Sequence, residues 1–169
     1  MIEVLESPTD YQNKLCELFS EYSFESSIDE YKRRKQKNID KIKIDIYNGK
    51  RAEFMVYNWL NKRNNNPSFP DIEIYTGANK SFDADIVANN KNIHVKSCTK
   101  SSYESSWVFQ PNDNLTKQPL DIDFIFLVEI GEENKLIVIS GLKAIELYKP
   151  PRLEHLNKKC IYFSDLLAS

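Results

Sequence analysis

The sequence predicts an α/β protein, a mixed β-sheet flanked by helices with a helical N-terminal extension. Three observations predict it. Apolar residues recur at helical intervals up to residue 62, and period-two alternation takes over from residue 71. FIFLVEI (residues 124 to 130) is the continuous apolar run expected of a strand buried on both faces. With 169 residues, 41% of them apolar and 28% charged, the chain is expected to be one domain with its own core.

The elements follow in order. Residues 10 to 37 have helix-compatible spacing through Leu15, Leu18, Phe19 and Tyr22, with a charged second half. Gly49 is read as a break before an amphipathic helix, KRAEFMVYNWLNK, in which Ala52, Val56, Trp59 and Leu60 form one stripe. That helix stops at Asn64-Asn65-Asn66 and Pro67. DIEIY (71 to 75), DADIVA (83 to 88) and NIHVKS (92 to 97) alternate as strands. After the central run, KLIVIS (135 to 140) returns through the polar turn GEEN, and LKAIELY (142 to 148) reads as a short helix closed by Pro150 and Pro151. CIYF (160 to 163) is a last strand. Three parts result: a basic helical segment (1 to 48), a core (49 to 130), and a C-terminal hairpin strand, helix and tail (131 to 169).

Composition narrows the function classes. No apolar run approaches the roughly 20 residues of a membrane span, and the opening MIEVLESPTD carries acids where a secretory signal carries bases. A cytoplasmic protein without membrane association is expected. Cys16, Cys98 and Cys160 are odd in number and in no metal-ligand spacing, which points to reduced thiols. Of the two histidines, His155 lacks neighbouring ligands and reads as a surface residue, so any metal would rest largely on carboxylates. No organic cofactor is expected.

Charge is polarised along the chain. Between Lys32 and Arg51 nine bases face two acids, Asp40 and Asp45, so that stretch carries +7 within a chain of net charge −2. A solvated helix face is the plain reading, and a footprint for a polyanion is the sharper one.

The stretch DADIVANNKNIHVKSC concentrates the chemistry. A two-residue turn at Asn89-Asn90, where asparagine tolerates positive φ, sets Asp85 opposite His94 and Asp83 opposite Lys96. Moving the turn to Asn90-Lys91 pairs Asp85 with Lys96 instead. In either register Asp85, His94 and Lys96 share one face, and Ile86, Ala88, Ile93 and Val95 share the other, the core face. Glu53 lies in or beside the apolar stripe of its helix. Burying a carboxylate alone is costly, so a basic side chain or a metal shared with Asp85 is its expected partner.

A helix with an inward glutamate (GKRAEFMVYNWL), a strand beginning with aspartate (DADIV) and a strand of the form IHVKS together resemble the PD-(D/E)xK nuclease superfamily, the restriction-endonuclease-like fold. The likeness covers about residues 49 to 130. It implies metal ligands at Asp85 and Glu53, magnesium as the ion, and Lys96 aligning the attacking water and stabilising charge on the phosphate. His94 departs from the pattern, which has Glu or Asp there. Three readings follow: a metal ligand that shifts preference toward manganese, a general base titrating near neutrality, or a mark of an inactive site. An alternative alignment through Pro70-Asp71 makes Asp71 or Glu73 the ligand. Glu73, Asp83 and Gln110, the last on the next strand, are auxiliary candidates.

The resemblance implies a DNA endonuclease, with a homodimer expected for cutting two strands. Arg33, Arg34, Lys35, Lys37, Lys50, Arg51 and Lys100 are the expected phosphate contacts. Trp107 and Phe109, in the hydroxyl-rich stretch with Tyr103, are expected to be core or interface residues and not base-stacking platforms. The alternative functions are a catalytically inactive DNA-binding or protein-interaction module and, more remotely, an RNA-directed nuclease.

Overall fold

The computed structural model describes residues 1 to 33, 36 to 75, 83 to 152 and 157 to 168. Arg34, Lys35 and His155, singled out above, lie outside the described residues. Helices come first. After a short strand β1 (Ile2–Leu5), helix α1 (Asp10–Ser26) begins at a capping box in which Thr9 and Gln12 bond each other's backbone N–H. It is followed by α2 (Ile28–Arg33) and the long α3 (Ile39–Lys62), capped by the Asn38 side chain on the N–H of Lys41.

Gly49 does not break α3, contrary to the expectation above. A glycine in a helix interior costs about 1 kcal/mol relative to alanine, which tertiary packing readily outweighs. Here α1 packs against α3, with Cys16 fully buried and the amides of Gln12 and Asn58 exchanging hydrogen bonds of 2.9 and 2.8 Å.

Next come β2 (Ile86–Ala88), β3 (Lys91–Thr99), β4 (Ser106–Phe109), the single turn α4 (Asn114–Lys117) and a 3-10 turn (Pro119–Asp121). The chain continues through β5 (Phe124–Ile130), β6 (Asn134–Ile139), α5 (Gly141–Leu147), β7 (Lys159–Tyr162) and α6 (Phe163–Leu167). The mixed sheet has the order β1-β6-β5-β3-β2, parallel only between β3 and β5, and β4 pairs with β7 in a second two-stranded sheet. The segment 71 to 75 is not a strand. Asp71 instead accepts a hydrogen bond from the N–H of Glu73 at 2.8 Å and one from the Tyr75 hydroxyl at 2.6 Å, a local turn that competes with a ladder.

The two faces of β5 explain its unbroken apolar run. Phe126, Val128 and Ile130 meet Ala52, Met55 and Val56 of α3, whereas Ile125 and Leu127 meet Trp107 and Phe109 of β4, Ala144 of α5 and Ile161 of β7. Trp107 is fully buried and its indole N–H donates to the Val128 carbonyl at 3.1 Å, which ties the small sheet to the large one.

Two glycines test this packing. A Cβ at Gly141 would lie 1.6 Å from the Pro119 carbonyl oxygen, whereas one at Gly49 would meet nothing within 4 Å. Gly141→Ala is expected to destabilise the fold by at least about 1–3 kcal/mol through overpacking. Gly49→Ala is expected to stabilise it by about 0.5–1 kcal/mol. Urea denaturation midpoints check both.

Candidate functional site

The β2–β3 hairpin adopts the Asn89-Asn90 register. Both asparagines have positive φ, 49° and 59°, and Ile86 pairs with Ile93. Asp85 therefore stands just before β2, opposite His94, with 3.8 Å between its Oδ2 and the imidazole Nδ1. The same oxygen accepts the N–H of Val95 at 2.7 Å. Ile86, Ala88, Ile93 and Val95 pack toward α3 as the alternation requires.

Lys96 lies on the other face of β3. Its ammonium is 3.7 Å from Asp113 Oδ2 and 5.5 Å from the centre of the Phe109 ring. Asp113 also caps α4, accepting the N–H of Leu115 at 3.0 Å. Sequence reasoning missed this partner. The signal was present in PNDNLTK, an Asp before a helical turn, but the approach of that turn to β3 is a through-space fact.

Glu53 has a basic partner, one of the two expected kinds. Lys50 Nζ lies 2.6 Å from Glu53 Oε2, donates to the Asp71 carbonyl and sits 4.4 Å from the centre of the Phe19 ring. The Lys50 side chain is 8% exposed and that of Glu53 14%. Lys50 is thus a buried ion-pair partner and not part of an exposed basic surface, because its ammonium is consumed within the fold.

Electrostatics link these groups. Burial pushes the Glu53 carboxyl up to about 8, against the pull of Lys50, and the charge of Asp85 pushes in the same direction as burial. Burial also raises Asp85, opposed by its bond from Val95 and by His94, Lys50 and Lys96. The four predicted residues therefore share one electrostatic neighbourhood.

The donors can be weighed against a divalent cation. Two mutually repelling carboxylates suit magnesium or manganese in kind, and the imidazole tilts the set toward manganese. In arrangement they do so less well: Glu53 already holds an ammonium, and among the described residues no three His, Cys, Asp or Glu side chains are grouped so as to hold a metal ion.

The auxiliary candidates are placed more loosely. Asp83 is exposed and lines a cleft shared with His94. Glu73 is exposed in the turn after Asp71, and Gln110 follows β4, accepting the N–H of Asp113 through its carbonyl. Lys100 is exposed just beyond β3.

The basic segment is partly neutralised in space. Arg33 pairs with Glu30, Lys32 with Asp29, Lys41 with Asp45 and Lys43 with Glu21. Lys37 is exposed, and the Arg51 guanidinium stacks 5.5 Å from the centre of the Tyr47 ring. Asp45 is already counted in the +7 read along the sequence, and Asp29, Glu30 and Glu21, outside the segment, offset part of it.

Comparison with protein-family models, curated proteins and solved structures finds no match.

The raised Glu53 makes a pH prediction. A carboxyl with its folded pKa above the unfolded value contributes stability that is complete below about 4.5 and lost as pH rises through about 8. Wild-type unfolding free energy is therefore expected to fall between pH 5 and 8.5 with a contribution of up to about 1.4 kcal/mol per pH unit. Glu53→Gln should remove that contribution, and chemical denaturation across the pH series reads it.

Proposed function

We propose that the protein is a metal-dependent DNA endonuclease that hydrolyses phosphodiester bonds by water attack. One juxtaposition supports this reading: the β2–β3 hairpin sets Asp85 beside His94, on the strand that carries Lys96, within the electrostatic reach of Glu53 on α3. A bound divalent cation, held by Glu53, Asp85 and His94, would supply an activated water and positive charge at the phosphate. Lys96 contributes a point charge to the developing oxyanion, and Asp113 with the Phe109 ring restrains where that charge sits. Asp85, 3.8 Å away, places its negative charge beside the His94 imidazole. Cutting both strands of a duplex calls for two such sites, which a homodimer provides, and a monomer in gel filtration with and without DNA would remove that part of the proposal.

A second reading, a nuclease-like module that binds DNA or protein without cutting, is favoured by the Lys50–Glu53 ion pair. Plasmid cleavage in magnesium and in manganese separates the two. Nicking that Lys96→Ala and Asp85→Ala each reduce by about 100-fold or more is the expected result for the enzyme. His94→Glu should then increase the magnesium-supported rate. Failure to cut supercoiled, single-stranded and branched DNA in either metal would shift the assignment to the module.

A further inference from the structure

A cleft of about 360 Å³ opens beside His94. That lies near the lower end of the volume range of small-molecule sites. Its polar lining comes from three directions: Asp83 before β2, Asn92 and His94 on β3, and Asn114 on α4, Asp121 on the 3-10 turn and Gln118 between them. Ile122 supplies an apolar contact, and among the described residues no lysine or arginine lines the cleft.

This lining selects a ligand chemistry. Without cations it does not match a phosphate. The carboxylate oxygens of Asp83 and Asp121 accept hydrogen bonds, whereas the three amides both donate and accept. A neutral planar group with amino donors and ring acceptors satisfies both, and the apolar side suits its faces. Nucleobases have this character. Carboxylates accept from the exocyclic amino groups of adenine, cytosine and guanine, which thymine lacks.

Position agrees with chemistry. His94 and Lys96 are two residues apart on one face of β3, about 7 Å, so a base in the cleft and a phosphate at Lys96 belong to the same stretch of strand. A base stacked and paired in a duplex cannot enter a cleft walled on three sides, whereas an unpaired or extruded base can.

We propose that this cleft binds an unpaired base with an exocyclic amino group, of which adenine and cytosine serve as the probes, in the strand whose phosphate lies at Lys96. The placement of the phosphate rests on the nuclease reading, but the base preference does not.

Fluorescence anisotropy of labelled single-stranded octamers of dA, dC and dT, measured in EDTA so that nothing is cut, tests the cleft directly. The dA and dC octamers are expected to bind at least about fivefold more tightly than dT. Asp121→Ala should bring the three affinities together, and Gln118→Ala should weaken dA and dC more than dT. Both positions are exposed, so the variants are expected to fold, and circular dichroism checks this. Equal binding of the three octamers by the wild-type protein, or a preference untouched by both substitutions, overturns the inference. Parallel cleavage assays in magnesium and manganese keep the two claims apart. Base preference without cleavage supports the cleft and counts against the nuclease, and cleavage without base preference does the reverse.

Discussion

The parallel pairing of β3 with β5 is the constraint on which the rest of the structure depends. From Ile93 beside Phe124 to Thr99 beside Ile130, it holds the strand that carries His94 and Lys96 against the most buried strand of the sheet. Parallel neighbours cannot be joined by a tight turn, so the chain must cross over one face of the sheet before β5 can begin. That crossover is β4, α4 and the 3-10 turn. It covers the face opposite α3, delivers Asp113 to Lys96 and supplies one wall of the cleft beside His94. Its far end is pinned by Asp123, which accepts the N–H of Asn92 at 3.0 Å and pairs with Lys91 at 2.8 Å. Core and candidate site thus share a cause.

The second organising feature is electrostatic. Lys50 and Glu53 form a buried pair next to Asp85, in which desolvation of the Glu53 carboxyl outweighs the pull of Lys50. Pairs of this kind are weak evidence for stability, yet removing one partner strands the other charge inside the protein. Two further contacts restrain Lys50: the Asp71 carbonyl and the Phe19 ring of α1. The same side chain thereby ties α1 and α3 to the turn at Asp71, and its charge reaches Asp85. By contrast, the exposed pairs along α2 and the first half of α3 are screened by water and contribute little each. Their effect is to soften the positive field of that surface.

Features set by near neighbours were legible in the sequence. Alternation put Asp85, His94 and Lys96 on one face in either of the two registers the asparagines allow, because a period of two is a property of a few adjacent residues, and the structure takes the Asn89-Asn90 turn. The unbroken FIFLVEI run determined a strand covered on both faces, and the placement of Glu53 required a partner for its carboxylate. Tertiary structure alone decided that α3 runs through Gly49, that β1 pairs with β6, that 71 to 75 curls around Asp71, that Lys50 is the partner of Glu53 and that Asp113 meets Lys96. Periodicity and turn chemistry act over a few bonds of one chain. Ion pairs, helix continuation and edge-strand pairing depend on groups distant in sequence, which only the folded packing brings together.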